Sequence, residues 1–325
     1  MSLTEFKLIK DYFYERARQR KDVVLGIGDD CALTKVPEGL MLATTTDTLV
    51  SGVHFPEDTD PADLAIKSIV VNLSDLAAMG AEPAWLSLSL TLPKSDHEWL
   101  KRFSESFFEQ LDYFGLDLIG GDTTSGPLAI SITAMGFVPE TGALRRTNAE
   151  AGDRIYVTNT LGDAGLGLAI AQGRHITDNQ SNSEHLLTKL NKPIPRLAVG
   201  IGIRHIANSA IDLSDGLAGD LPHILEASGK GAVIELNDLP LSKALVDEVG
   251  RQEAIQYALA SGDDYELCFT VPEEQIERLE HALSSTSCGF SCIGRITGGH
   301  GIRYLEKGEP VELEVAAYQH FHPRQ

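Results

Sequence analysis

Six short segments set aspartate beside glycine, serine or threonine, nearly always at the edge of an apolar run, and they define the chemistry open to this chain. The first is Leu25 to Ala32, LGIGDDCA, where two glycines run into Asp29 and Asp30. The others are Thr44 to Asp47, Asn72 to Asp75, Gly120 to Thr123, Asp212 to Gly216 and Gly262 to Asp264. Glycine lets a backbone turn tightly and approach a ligand. Neighbouring carboxylates repel unless a cation or hydrogen-bond donors lie between them. Asp30, Asp47, Asp75, Asp122, Asp212 and Asp215, with the hydroxyls of Thr45, Thr46 and Ser214, make a set of hard oxygen donors. Such donors suit magnesium, which is shared between one or two carboxylates and substrate phosphates. The expected chemistry is phosphoryl transfer on a polyphosphate, with several cations screening its charge.

Other chemistries fail on inspection. Gly26, Gly28 and Cys31 miss the third glycine of a dinucleotide fingerprint, and Gly229-Lys230 is followed by Gly231 where a Walker loop needs Ser or Thr. A calcium hand starting at Asp212 would place His223 where a bidentate Glu is required. Protein-kinase signatures and a GxSxG elbow are missing, and no Cys or His stands in a polar motif suited to covalent catalysis. His54, in Gly52-Val53-His54-Phe55, reads either as a loop histidine or as a site residue.

The elements that must position these groups follow from periodicity. Residues 4–20 read as a helix capped by Thr4, and Leu40 to Ala43 as a strand ending at the polar run Thr44 to Asp47. A helix starts at Asp60-Pro61 and stops before Gly80. Ser68, Asn72 and Asp75 share one face of it, among apolar neighbours that imply burial on more than one side. Asp75 is then either a partnered carboxylate or a helix-end residue in water. Trp85 to Leu92 alternates as a half-buried, antiparallel strand. Ser95 to Gly115 reads as a helix with a Ser95/Glu98 capping box, Leu116 to Ile119 as a short strand opening into Gly120 to Thr124, and Leu128 to Val138 as another strand. After the polar segment Arg145 to Asp153, strands near 155–157, 210–213, 232–236, 265–271 and 290–296 alternate with helices near 163–172, 184–190, 195–207, 216–228 and 272–284.

The expected architecture is therefore mixed α/β in two domains, residues 1–148 and 149–325. A formal net charge of −20 excludes a nucleic-acid partner, which needs a basic face. The N-terminus carries charges throughout and resembles neither a signal peptide nor a membrane span, so no membrane partner is expected. Cys31, Cys268, Cys288 and Cys292 give no disulfide framework or zinc site and read as reduced packing cysteines of a cytoplasmic protein.

The order LGIGDDCA, TTTDTLVSGVHF, VNLSDLAAMGAEP, LIGGDTT, IDLSDGL, SGDDYEL and AYQHF closely resembles the bacterial thiamine-phosphate kinase family, over about residues 5–321. That family lies in the superfamily of aminoimidazole ribonucleotide synthetase and selenophosphate synthetase. The resemblance implies an N-terminal α/β domain whose sheet pairs with a second subunit in a homodimer, and a C-terminal α/β domain closing over nucleotide and substrate. It implies ATP and thiamine phosphate as substrates, thiamine diphosphate as product, and several Mg²⁺ ions. By position, Asp30, Thr45, Thr46, Asp47, Asp75, Asp122, Asp212 and Asp215 are similar to metal ligands. Gly121, Asp122, Arg146 and Ser214 are similar to ATP-contacting positions, and His54, Asp263 and Tyr318 to the thiamine-phosphate side. The family often carries Glu where this chain has Asp263. No general base is expected, because a phosphate monoester with its second pKa near 6 is already mostly a dianionic nucleophile at neutral pH. The alternatives are another ATP-using member of the superfamily and a non-catalytic nucleotide- or metal-binding protein; the selenophosphate branch is disfavoured because no cysteine precedes Cys31.

Overall fold

The strand and helix signals resolve, in a computed structural model describing residues 5–16 and 20–313, into two compact units. One is built from the chain up to Leu76 together with Ala81–Thr141, the other from Ala77–Gly80 together with the chain from Gly142 onward. The break expected after residue 148 thus falls inside the opening segment of the second unit. Leu144 explains the difference, since it is buried in that unit's core with Tyr156, Phe269 and Ile203.

In the first unit the order is α1 (Glu5–Tyr12), β1 (Val23–Leu25), β2 (Leu33–Thr34), β3 (Leu40–Val50), α2 (Pro61–Ala78), β4 (Glu82–Leu92), α3 (His97–Phe114), β5 (Asp117–Ser125) and β6 (Ala129–Pro139). The sheet runs β3-β6-β4-β5. β4 is antiparallel to β6, as its alternation suggested, but parallel to β5. α1 is shorter than expected: it gives way after Tyr12 to a 3₁₀ turn at Tyr14–Arg16. The α3 cap is Asp96 rather than Ser95, its carboxylate accepting the Glu98 and Trp99 N–H groups at 3.1 and 3.2 Å, while Gly115 closes the helix in the left-handed conformation. The polar runs Thr44 to Asp47 and Gly120 to Thr124 lie inside strands instead of ending them. Threonine is a good strand residue, and its hydroxyls bond across the sheet: Thr46 Oγ1 to Thr133 Oγ1 at 2.8 Å and Thr48 Oγ1 to Ser131 Oγ at 2.7 Å.

α2 is buried on most of its surface, with Leu64, Ile69, Val70, Leu73 and Leu76 at most 1% exposed and Asn72 fully enclosed. A buried amide needs partners. Asn72 Nδ2 donates to the Ser68 carbonyl at 3.1 Å, and its Oδ1 accepts the Asp47 N–H of β3 at 3.2 Å.

The second unit contains β7 (Arg154–Thr158), α4 (Asp163–Ala171), α5 (Gln180–Asn191), α6 (Leu197–Gly202), β8 (Ser209–Leu213), α7 (Leu217–Ser228), β9 (Gly231–Glu235), α8 (Lys243–Ala260), β10 (Glu266–Val271), α9 (Ile276–Leu283), β11 (Phe290–Thr297), β12 (Gly301–Glu306) and β13 (Glu309–Val311). Its mixed sheet is ordered β13-β12-β9-β11-β7-β10-β8, with only β12 and β9 parallel. Period-two alternation sends Ile155 and Val157 of β7 toward α7 and α8, and Tyr156 toward α6 and α9, so helices cover both faces. α8, β12 and β13 were not expected. Gly250, at φ 76°, interrupts α8 and breaks the helical period of its sequence. Among the described residues no helix is long and apolar enough to cross a membrane. Cys268 is enclosed in the core, whereas Cys31 is exposed and does no packing; Cys288 and Cys292 are half-buried.

The β7–β10 pairing brings Thr158 against Glu266, which also takes the Arg196 guanidinium in a two-pronged pair, Nε to Oε2 at 2.6 Å and Nη2 to Oε1 at 2.5 Å. Glu266 is 2% exposed. Removing one member of a buried pair leaves the other charge uncompensated. Arg196→Leu should therefore lower the unfolding free energy by about 3–5 kcal/mol, read from urea denaturation.

Candidate active site

In β3, alternation decides which groups can act together. Thr45 and Asp47 face α2, and Thr44, Thr46 and Thr48 face the exposed side of the sheet. Thr45 Oγ1 donates to Asp75 Oδ2, so Asp75 is a partnered carboxylate. Burial, and secondarily the charge of Asp75, push the Asp47 carboxyl up to about 6. Among the described residues, neither carboxylate forms an ion pair with Lys or Arg. Thr46 is separated from this group by the strand itself, and its hydroxyl is taken up by Thr133.

The opening motif folds as an irregular hairpin between β1 and β2. Gly28 has φ 121°, and a Cβ there would stand 3.1 Å from the Tyr14 ring. Asp29 accepts the Asp30 N–H on Oδ1 at 2.8 Å and so shapes the turn, leaving Asp30 exposed. In β5, Gly121 has φ 151°, and a Cβ there would lie 1.8 Å from the Leu88 carbonyl oxygen; only glycine allows β5 to pass β4 this closely. Asp122 is exposed and borders a shallow hollow, open to solvent, lined by Ile9, Phe13, Ile27, Leu88 and Leu118. His54 Nδ1 accepts the Val50 N–H at 3.0 Å, which requires any proton on the neutral ring to be at Nε2.

In the second unit, Asp212 lies near the end of β8 and is 5% exposed. Ser214 and Asp215 form the turn into α7, and Gly216, at φ 90°, fits under the Leu259 and Ser261 carbonyls. Both turn N–H groups donate to Asp220 Oδ2 at 2.9 Å. Burial drives the Asp220 carboxyl up to about 7, against these hydrogen bonds and the charge of Arg146. The Asp263 N–H donates to the Ser214 carbonyl at 2.9 Å, and Tyr265 Oη donates to Asp263 Oδ1 at 3.1 Å. Asp263 and Tyr265 have φ of 71° and 49°, left-handed values that non-glycine residues adopt at a cost. Arg146 is exposed on a 3₁₀ turn whose carbonyl accepts Ser228 Oγ of α7 at 2.9 Å.

The structure thus joins Thr45, Asp47 and Asp75 in one unit, and Ser214, Asp215 and Asp263 in the other. No hydrogen bond among the described residues links the carboxylates of Asp30 or Asp122 to either group, and Tyr318 lies outside the described residues. No three His, Cys, Asp or Glu side chains among the described residues converge on one point. The donors nevertheless fit magnesium: they are all oxygen, Asp47 and Asp75 stand together with no Lys or Arg paired to them among the described residues, and that ion needs only one or two carboxylates when phosphate and water fill its shell. Residues missed in the sequence are Asp220 and Tyr265. Their signals were present, an acid one turn into the helix after Ser214-Asp215-Gly216 and an aromatic two residues after Asp263.

Family models of AIR synthase related proteins match this chain in both parts, the N-terminal domain over residues 28–138 and the C-terminal domain over residues 150–305. The class is therefore a two-domain, mixed α/β AIR synthase related protein. Thiamine-monophosphate kinase of Escherichia coli (strain K12) is 51% identical over 322 residues, covering 99% of each chain. A crystal structure of thiamine-monophosphate kinase from Stenotrophomonas maltophilia K279a is 44% identical with a TM-score of 0.86, covering 96% of this chain and 99% of that one. A structure of AaThiL complexed with AMPPCP and TMP is 30% identical with a TM-score of 0.77, covering 98% and 97%. The chain belongs to the thiamine-monophosphate kinase family.

Asp264, next to Asp263, faces inward. Burial pushes its carboxyl well above the usual carboxylate range, although the Gly162 and Ala164 N–H groups bind it. A carboxyl with a folded pKa above its unfolded value of about 4 holds its proton more tightly when folded. Its contribution to stability is complete below about pH 4 and is lost as pH rises toward the folded value. Asp264→Asn does not titrate, so its melting temperature should gain on the wild type as pH rises above about 4, in a series from pH 4 to pH 8.

Proposed function

We propose that this chain catalyses ATP-dependent phosphorylation of thiamine phosphate to thiamine diphosphate by direct in-line transfer. Family membership supports the activity, and the AaThiL complex with AMPPCP and TMP supports the two substrates. The observation that carries the mechanism is the Asp47/Asp75 pair: Thr45 meets the Asp75 carboxylate, Asn72 ties the Asp47 main chain to the same helix, and among the described residues no Lys or Arg pairs with either carboxylate.

The residues proposed to hold magnesium are Asp30, Thr45, Asp47, Asp75, Asp122, Asp212 and Asp215; Thr46, its hydroxyl on the other face, would serve only through its main chain. Magnesium, when bound, supplies the positive charge that lets a dianionic acceptor approach a polyphosphate. The protein's own part is placement. Gly121 keeps β5 free of a side chain beside Asp122, and Arg146 offers a guanidinium for phosphate oxygens. Ser214 is assigned to the nucleotide and His54, Asp263 and Tyr318 to the acceptor, each by resemblance to the family. No side chain has to remove a proton from an acceptor that is already ionised.

We further place this activity in a homodimer in the cytoplasm. Among the described residues β3 is an eleven-residue edge strand with Met41 and Leu42 exposed, the kind of edge that pairs with another chain. The four unpaired cysteines fit a reducing compartment.

Coupled ADP assays test the reaction. ADP should appear with thiamine phosphate and magnesium, and neither with free thiamine nor without the metal; a preference for free thiamine or a ribonucleotide acceptor rejects the reading. Asp75→Asn should reduce turnover by about 10³-fold or more while keeping a wild-type melting profile, and full activity would remove Asp75 from the scaffold. Sedimentation should give twice the chain mass, and a monomer at assay concentration rejects the dimer.

A further inference from the structure

Asp220 is a buried carboxylate to which phosphoryl transfer assigns no task. It is 4% exposed and sits one turn into α7, with Oδ2 accepting the Ser214 and Asp215 N–H groups at 2.9 Å each. Two N–H groups on one oxygen fix two successive peptide planes. Ser214 passes the constraint on, because its carbonyl accepts the Asp263 N–H at 2.9 Å, and a Cβ on Gly262 would stand 2.3 Å from that same oxygen. The Asp263 segment is anchored a second time where the Tyr265 N–H donates to the Leu213 carbonyl at 2.8 Å. α7 also holds the Arg146 turn, through the Ser228 hydroxyl that donates to the Arg146 carbonyl at 2.9 Å.

We propose that Asp220 is a positioning residue, fixing the Ser214-Asp215 turn and, through the Ser214 carbonyl, Asp263, so that the nucleotide and acceptor ends of the site keep a set spacing. It touches neither substrate. The roles of Ser214, Asp215 and Asp263 rest on the function proposed above; the mechanical link between them does not.

Asp220→Ala removes the acceptor oxygen, and Asp220→Asn keeps one without the charge. Amide hydrogen exchange in the ligand-free protein reads the link directly. Alanine should speed exchange at Ser214, Asp215 and Asp263 by about tenfold or more, and asparagine should stay within about threefold of wild type. In steady-state assays alanine should raise KM for both ATP and thiamine phosphate by about tenfold, with asparagine restoring both. Unchanged exchange in the alanine variant overturns the link. Faster exchange with both KM values unmoved overturns the positioning role, as does an asparagine variant as impaired as alanine. Should alanine fail to fold, Gly262→Ala perturbs the same contact from the other loop: raised KM for both substrates supports the coupling, and unchanged values reject it. A wild-type protein releasing no ADP with thiamine phosphate overturns the functional reading alone, and the exchange data still decide the link.

Discussion

Carboxylates within reach of one another repel, and the structure depends on holding them together with neutral groups. Asp75 is met by the Thr45 hydroxyl, and the strand carrying Asp47 is tied to the same helix by Asn72. Asp220 is met by two peptide N–H groups and Asp264 by the N–H groups at the start of α4. Neutral donors hold the geometry without placing a counter-charge beside the carboxyl groups. An arginine beside Asp47 or Asp75 would fix those carboxylates as well, but it would occupy the place the proposed divalent cation would take. The chain makes the contrast itself: Glu266, which has no assigned part in the chemistry, takes Arg196 in a closed pair.

Most of the fold was legible because its signals are local. Asp60-Pro61 and Gly80 bracket α2, and the alternation from Trp85 marks β4. The errors have physical causes. Ser95 and Asp96 are both good caps, and only the backbone chose between them. Gly250 interrupts α8 and hid an eighteen-residue helix, while β12 and β13 are short, half-exposed strands with little apolar pattern. The polar runs read as turns because Thr, Gly and Asp are turn residues; partners far along the chain, β6 for Thr44 to Asp47 and β4 for Gly120 to Thr124, made them strands.

The candidate site, itself a proposal, could be drawn from residue types in the sequence, but its wiring could not. Asp30, Asp47, Asp75 and Asp122 announce themselves by motif, but the pairing of Thr45 with Asp75 joins residues thirty apart, and the turn role of Asp29 needed the backbone. Asp263 and Tyr265 show where local preference fails. Both adopt left-handed backbone values that neither residue type favours, and the loop keeps them only because Ser214 and Leu213 grip its N–H groups. Such strain cannot be read from composition.

The hydroxyl pairs joining β3 to β6 also act as a vernier. Side chains alternate across a strand, so a slip of a single residue would carry every group on β3 to the opposite face. Thr45 and Asp47 would then look away from α2, and Thr44 and Thr46 would take their places against Asp75. Because threonine stands at each of positions 44, 45, 46 and 48, those positions of β3 discriminate weakly against that misalignment. Leu49, buried on the Thr45 and Asp47 face, opposes the slip, and the matched pairs Thr46 with Thr133 and Thr48 with Ser131 form in the register adopted. The register of an exposed sheet face thereby bears on which residues of β3 the proposed site can use.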